Sequence, residues 1–271
     1  MAAPASSVLV DLHIACGGGA LAALAGHTGL LDAGELARAD RFRFAADRLV
    51  YQAAHVLLRR ALSRHAPPAP AQWRFISGAN GRPEIDTAAC PDGAGLRFNL
   101  SHTRGLVCCA ATRAGAVGVD AECQRPLRDR RALAERFFAP SEAAAVAAAE
   151  AGGAAAADAG LYAFWTLKEA YVKALGLGLS HGLDRFAFSL GEGSPRPIGL
   201  SLAAEAPRPA GDWRCLLLNL DGGRCAVAVA LPCAGNLRVQ VWLHGDGHEV
   251  GLACRHLSAR QEGEPRQEGQ G

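Results

Sequence analysis

The order of strand-like and helix-like segments constrains this chain more than any other feature of its sequence. Alternating, β-branched runs lie at 7–14, 97–101, 106–112 and 116–122, and helix-like segments follow at 128–138, 141–150 and 161–175. Five more strand-like runs come after them, at 185–190, 198–203, 213–220, 225–231 and 239–244. Strands and helices that are segregated in this way predict an α+β fold, and the order allows two similar halves that meet near residue 118.

Turn and low-complexity signals divide the rest of the chain. Helices are predicted at 32–39 and 47–65, a short strand at 73–76, and a tight turn at Asn80-Gly81. Ser141 is the expected N-cap of the alanine-rich helix that follows it. The alanine- and glycine-rich stretch 151–160 is expected to be a flexible or frayed connection, and the polar segment 257–271 is expected to be disordered.

Composition and charge exclude some classes of protein. A formal net charge of +2 does not support wholesale nucleic-acid binding, so an anionic ligand would need a local basic cluster. No apolar run reaches the ~20 residues of a membrane span, and the amino terminus lacks a basic export signal. The nine cysteines include no CxxC pair, which favours free thiols in a cytoplasmic enzyme.

A glycine-rich run after the first strand raises one alternative function. Gly17, Gly19 and Ala22 have the spacing of a dinucleotide-binding fingerprint, as in a nicotinamide-dependent oxidoreductase. That fold needs a second strand that ends in an acidic residue about 20 positions later. This chain instead continues into an arginine-rich helical segment, so the run is interpreted as a glycine-rich loop.

Two carboxylates lie close together at the end of the strand at 116–122. Asp120 and Glu122 are two positions apart, so their side chains leave the strand on the same side. The two charges repel each other unless a cation lies between them, and their hard oxygen atoms favour Mg²⁺ or Mn²⁺. Taken alone, the same pattern is more often a solvated acidic edge.

The helix predicted at 161–175 carries the only two lysines among 28 basic residues, Lys168 and Lys173. Every other basic residue is an arginine, so two lysines in one short segment indicate a role for a compact ammonium group. Glu169 and Lys173 are i,i+4 neighbours on a face beside the apolar one. Taken alone, the pair is most simply a surface ion pair.

Three motifs together resemble one protein family. F-N-L-S-H lies at 98–102, G-V-D-A-E at 118–122 and W-T-L-K-E-A-Y-V-K-A-L-G at 165–176. In this order and spacing they resemble the Sfp-type 4′-phosphopantetheinyl transferase superfamily, and R-F-R-F-x-x-D-R at 41–48 and G-R-P at 81–83 fit the same family. The resemblance covers about residues 41–190; Arg82 stands where many members have lysine.

The resemblance implies a fold and an activity. Two pseudo-symmetric α/β halves, 1–117 and 118–256, would hold the active site between them. The implied enzyme is a magnesium-dependent holo-[carrier-protein] synthase, which moves the phosphopantetheine arm of coenzyme A to a serine of an apo acyl or peptidyl carrier protein and releases 3′,5′-ADP. A cytoplasmic monomer with no nucleic-acid or membrane partner is expected. The alternative is an inactive coenzyme A-binding relic of the family.

The same resemblance assigns roles to individual residues. Mg²⁺, which Mn²⁺ can replace, is expected on Asp120, Glu122 and Glu169, and Glu169 is the expected base, directly or through a water. Lys173 is expected to hold the pyrophosphate and to help protonate the leaving group. The expected coenzyme A contacts are the 3′-phosphate and adenine side (Arg38, Arg41, Arg48, Gly81, Arg82, Ser101, His102) and the phosphate side (Asp120, Lys168, Lys173).

A basic segment after the acidic strand is the expected docking surface for the carrier protein. Carrier proteins present an acidic helix, and the predicted helix at 128–138 contains four arginines, Arg128, Arg130, Arg131 and Arg136. The resemblance does not identify the pathway of the carrier.

Overall fold

A computed structural model describes residues 7–78, 81–177, 182–191, 198–203, 212–245 and 249–254. The predicted turn residue Asn80 and the segment 257–271 lie outside these ranges. In the described part of the chain, no helix is both long and apolar enough to cross a membrane. The structure mixes helices with mostly antiparallel sheets, which confirms the predicted α+β class.

The first sheet has five strands, and β1 (Ser7–Cys16) lies at its centre. The strand order is β12 (Glu249–Cys254), β11 (Asn236–His244), β1, β5 (Leu106–Thr112), β4 (Arg97–Thr103). β1 runs parallel to β11 and antiparallel to β5. The chain after residue 118 therefore builds a second sheet and then returns to the first.

Two helices, α1 (Gly18–Ala25) and α3 (Ala45–Leu62), pack on one face of this sheet, and α2 (Ala33–Ala39) packs against α3. α1 follows β1 directly, and in the described segment 7–62 no strand lies between α1 and α3, so the strand order of a dinucleotide-binding fold is absent there. Asp32 caps α2 by accepting a hydrogen bond from the Glu35 backbone N–H at 2.9 Å. The buried Arg59 of α3 then binds Glu35 at 2.7 Å, which fixes α2 against α3.

The second sheet has the order β6 (Gly118–Cys123), β10 (Cys225–Pro232), β9 (Trp213–Leu220). Its apolar face packs against the first sheet in one core, to which Val10 and Leu12 of β1, Val119 of β6 and Val227 of β10 contribute. The Asn99 side chain of β4 accepts a hydrogen bond from the Val119 backbone N–H at 2.9 Å. This bond holds the edge strand of the first sheet beside the acidic strand of the second.

The helical section consists of α4 (Arg130–Phe137), α5 (Pro140–Ala149) and α6 (Ala154–Leu175). Two small hairpin sheets complete the fold, β2 (Phe75–Ser77) with β3 (Pro83–Ile85), and β7 (Phe186–Leu190) with β8 (Ile198–Leu202). Helix α6 packs on β6 and β10, so it lies on the face of the second sheet that points away from the first.

Two local predictions about the helical section were wrong. The segment 151–160 is not a flexible connection, because α6 already begins at Ala154 and Ala157 is fully buried. Alanine has the highest helix propensity, so an alanine-rich stretch of low complexity still forms a helix when one face packs. Ser141 is not the N-cap, since α5 begins at Pro140 and Glu142 accepts the hydrogen bond from the Ala139 N–H at 3.0 Å.

The cysteines also depart from the expectation of free thiols. Cys123 and Cys225 are partners across the β6–β10 ladder, with Cα atoms 4.1 Å apart, and form a disulfide. Their sequence separation of 102 residues hides this pairing until the strand register is known. Six further described cysteines are free thiols.

Candidate active site

Gly118 allows the acidic strand and the lysine-bearing helix to approach each other closely. A Cβ atom at this position would overlap the Ala170 carbonyl oxygen and lie 2.5 Å from the Ala174 backbone nitrogen of α6. Only glycine therefore fits between β6 and α6 without displacing the backbone. This close packing places Asp120 and Glu122 of β6 beside Glu169 and Lys173 of α6.

Asp120 is the centre of a buried polar cluster. Its Oδ1 lies 2.7 Å from the Lys173 ammonium and accepts a hydrogen bond from the Ser101 hydroxyl at 2.9 Å. The Lys173 ammonium also donates to the Ser101 Oγ at 3.0 Å. The second oxygen, Oδ2, is buried and has no hydrogen-bond partner. An unpaired buried carboxylate oxygen is costly, and a cation would satisfy it.

Glu122 and Glu169 lie close enough to Asp120 to feel its charge. Burial, and then the Asp120 charge, raise the pKa of Glu122 to about 6. Burial and then Asp120 also raise the pKa of Glu169 to about 7, against the opposing effect of Lys173. In the described ranges, no three acidic, histidine or cysteine side chains already stand in a metal-ligating arrangement.

The chemistry of these three carboxylates nevertheless fits a hard divalent cation. All the donors are oxygens, one of them is buried without a partner, and burial together with the Asp120 charge raises the pKa values of the other two carboxyls. Mg²⁺ prefers such oxygens and keeps coordination positions for water and phosphate. A bound cation would offset the repulsion among these carboxylates of β6 and α6.

A cavity of about 780 Å³ opens beside this cluster, between the α2–α3 region, the β2–β3 hairpin, β4 and the end of α6. It is lined by five residues that the sequence predicted as coenzyme A contacts: Arg38, Gly81, Arg82, His102 and Lys173. Burial in the cavity wall lowers the pKa of the His102 imidazole, and the positive charges of Lys173 and His55 lower it further. An anion in the cavity would offset that repulsion.

The guanidinium of Arg82 has a role that its sequence position did not predict. It donates hydrogen bonds to the Lys173 carbonyl at 3.0 Å, the Phe98 carbonyl at 2.5 Å and the Val117 carbonyl at 3.3 Å. Arg82 therefore ties the hairpin turn to α6, β4 and the segment before β6. Burial lowers the pKa of Arg82. Its planar guanidinium, with several N–H donors, holds these three elements together at the base of the cavity.

The structure does not bring Lys168 to the cavity. Its side chain is 0% exposed, and its ammonium binds Glu142 at 2.7 Å and the Leu183 and Phe186 carbonyls at 2.6 Å each. Lys168 therefore joins α6 to α5 and to the start of β7. Because the fully buried ammonium already has three partners, a phosphate contact is inconsistent with its position.

The remaining predicted residues lie around the cluster and the cavity. Ser101 is in the buried cluster with Asp120, and Arg41 and Arg48 are exposed near the entrance to α3. Sequence reasoning missed two cavity residues of α3, Tyr51 and His55, whose rings are 4.2 Å apart. Their i,i+4 spacing on a predicted helix was the available signal.

Sequence similarity connects this chain to one protein family. Residues 116–222 match the 4′-phosphopantetheinyl transferase superfamily. The 4′-phosphopantetheinyl transferase HetI of Nostoc sp. is 32% identical over 205 residues, which are 76% of this chain and 80% of that protein. A phosphopantetheinyl transferase of Thraustochytrium sp. is 34% identical over 59% of this chain and 57% of its own length. The Sfp transferase of Bacillus subtilis is 31% identical over 50% of this chain and 55% of its own length.

The match at 116–222 includes β6 and α6, the two elements that carry the acidic cluster and Lys173. The HetI alignment extends over most of both chains. By motif, geometry and similarity, the chain belongs to the 4′-phosphopantetheinyl transferase superfamily, whose members transfer the phosphopantetheine arm of coenzyme A to carrier proteins.

Proposed function

We propose that this protein is a magnesium-dependent transferase that moves the phosphopantetheine arm of coenzyme A to a serine of an apo acyl or peptidyl carrier protein and releases 3′,5′-ADP. The observation that carries the proposal is the buried Asp120, with its unpaired Oδ2 and its Lys173 partner, beside a cavity of about 780 Å³. The site would lie between the halves 1–117 and 118–256.

Asp120, Glu122 and Glu169 would hold Mg²⁺, or Mn²⁺ in its place. The cation would neutralise charge on the pyrophosphate and orient it for in-line attack. Lys173, 2.7 Å from Asp120, would bind the pyrophosphate and supply a proton toward the departing 3′,5′-ADP. Glu169 would accept the proton of the carrier serine, directly or through a water, because its carboxylate lies beside Asp120 and Lys173 at the edge of the cavity.

The cavity would hold the nucleotide end of coenzyme A. His102 and Arg38 would bind the 3′-phosphate, since both line the cavity, Arg38 as a cation and His102 as a hydrogen-bond donor. Gly81 would lie on the adenine side, and Arg82 would support that wall through its carbonyl contacts. Arg41 and Arg48 are proposed as exposed contacts that add to the attraction for phosphate. Lys168 is buried against Glu142 and is not among the proposed coenzyme A contacts.

The proposed partners are apo carrier proteins, and the proposed form is a cytoplasmic monomer without nucleic-acid or membrane partners. The inactive relic of the family is the competing reading. A relic would have no need for Asp120, Glu122, Glu169 and Lys173 together, and the chain retains all four.

A transfer assay tests the proposal directly. The protein is incubated with coenzyme A, Mg²⁺ and a panel of apo acyl and peptidyl carriers, and each carrier is weighed by mass spectrometry. A mass gain of one phosphopantetheine group that EDTA abolishes is the expected result. Coenzyme A binding without a gain on any carrier would favour the relic, and oxidation of reduced nicotinamide without a gain would favour an oxidoreductase.

Two variants test the assigned roles. Asp120→Ala and Glu169→Gln are expected to lower kcat by about 10²- to 10⁴-fold while the fold is retained. Glu135→Gln removes an exposed carboxylate outside the site and is the matched control. A fully active Glu169→Gln would contradict its assignment as base.

A further inference from the structure

Two aromatic side chains, Phe42 and Phe44, are exposed just before α3, with Arg43 between them. Phe42 is 36% exposed and Phe44 is 60% exposed. The Phe42 ring contacts Tyr51 at 5.3 Å on the side of the cavity, and the Arg43 guanidinium lies 5.3 Å from the Phe44 ring. Exposed aromatic side chains that lie close together form an apolar surface patch, and such patches often mark interaction surfaces. We call residues 41–44, together with Arg48 and Arg104, the RFRF surface.

A groove of about 540 Å³ lies within the RFRF surface and adjoins the nucleotide cavity. Phe42 and His102 line both spaces. At its other side the groove reaches Thr103, which lies close enough to Glu122 to lower the pKa of that carboxyl. The groove therefore extends from the neighbourhood of Glu122 to the exposed Phe44 ring.

The charge of the RFRF surface defines the partner that fits it. Arg41, Arg43, Arg48 and Arg104 are exposed, and none of them forms an ion pair with a described carboxylate. Asp40 and Asp47 are the exposed acidic residues of this stretch, so arginine is in excess. An apolar groove with unpaired arginines around it complements an acidic helix with apolar side chains.

The arginine helix α4, the docking surface expected from the sequence, is less suited to this task. The Arg130 guanidinium binds Asp158 at 2.7 Å, and that of Arg131 binds Glu135 at 2.8 Å. Arg128 lies before α4, and two of the three arginines within the helix are therefore already paired within the chain. An acidic partner at α4 would have to compete with these carboxylates, whereas at the RFRF surface it would meet arginines without such partners.

We propose that the acidic helix of the apo carrier protein docks on the RFRF surface, with an apolar side chain of the carrier in the groove between Phe44 and Thr103. This inference rests on the proposed function, because it assumes that a carrier is the second substrate. Arg43 and Arg104 pair with carrier carboxylates, and docking there presents the carrier serine to the Asp120 cluster.

Kinetics of two variants test the docking surface. Phe44→Glu and the double variant Arg43→Glu/Arg104→Glu are expected to raise KM for an apo acyl carrier protein by about tenfold or more, and to change KM for coenzyme A less than about twofold. Leu9→Glu, a charge on another exposed apolar side chain, and Arg131→Glu on α4 are the matched controls. Circular dichroism and Tm confirm that each variant is folded.

The outcomes separate the surface from the function. A rise in KM for coenzyme A alone would mean that the groove holds the phosphopantetheine arm of coenzyme A, and it would overturn the proposal. A larger rise in KM for the carrier in Arg131→Glu than in the RFRF surface variants would also overturn it. Direct binding of a fluorescently labelled apo acyl carrier protein is measured in parallel. If binding weakens in the Phe44 and arginine variants while the wild type transfers no arm, the docking surface stands and the proposed function fails.

Discussion

The two oxygens of Asp120 have different surroundings. Oδ1 accepts bonds from Lys173 and Ser101, whereas Oδ2 is buried without a partner. Lys173 therefore compensates only part of the charge, and burial together with the Asp120 charge raises the pKa values of Glu122 and Glu169. Three carboxylates and one ammonium in a confined space leave a deficit of positive charge that suits a divalent cation. Stability in the absence of the cation should reflect that deficit.

Glu169→Gln should change the pH dependence of stability in the metal-free protein. The pKa of Glu169 is raised from 4.5 to about 7 in the folded state, so its stabilising contribution is present below pH 4.5 and is lost as the pH rises to 7. We expect the variant to be more stable than the wild type by about 1–3 kcal/mol at pH 8, with little difference at pH 4.5.

Urea unfolding at the two pH values, with EDTA present, measures this difference. Added Mg²⁺ should raise the Tm of the wild type at pH 8 more than that of the variant. Identical pH profiles for the two proteins would show that Glu169 is not under electrostatic strain.

At the scale of elements, the apolar periodicity of the sequence identified α6 and the face that carries Glu169 and Lys173. It could not show where the side chain of the adjacent Lys168 lies. Glu169 and Lys173 were predicted together because they lie one turn apart, and the structure brings both to Asp120. Lys168 lies about 100° further round the helix and enters the core against Glu142, a residue of another helix. Its partner, like the register that joins Cys123 to Cys225, depends on tertiary packing that one sequence does not reveal.

The packing of β6 on α6 can be tested at Gly118. Gly118→Ala should lower the free energy of unfolding by about 2–4 kcal/mol and reduce kcat, because the new methyl group meets the backbone of Ala170 and Ala174. Gly160→Ala within α6 is the control, since the new Cβ would lie an ordinary 3.9 Å from the Ala149 Cβ. The substitution also replaces glycine, a weak helix former, by alanine, a strong one. Urea unfolding and the transfer assay provide the two readouts, and equal stability of the two variants would argue against the close approach.

At the scale of the whole molecule, an early and a late strand of the chain close the fold. β1 and β11 pair in parallel, and the buried His13 of β1 bonds through Nδ1 to the His244 Nε2 of β11 at 3.0 Å. Asp11, His65, Arg64 and Trp242 surround this pair from β1, the segment after α3, and β11. None of these described residues lines the cavity of about 780 Å³, so we expect the contact to act on stability.

The buried, neutral His13 should make the folded protein less stable in mild acid. Burial, and then the neighbouring His244, lower the pKa of His13 from 6.5 to about 3, so the unfolded chain takes up a proton that the folded protein does not. The stabilising contribution is complete above pH 6.5 and is lost as the pH falls below it, by about 1.4 kcal/mol between pH 7.5 and pH 5.5. The lowered pKa of Asp11 acts only at more acidic pH, outside this interval. His13→Gln should remove this part of the pH dependence, and His27→Gln, on an exposed residue, should not. Denaturant unfolding of the three proteins at both pH values decides the matter, because an unchanged slope in His13→Gln would assign the acid sensitivity to other groups.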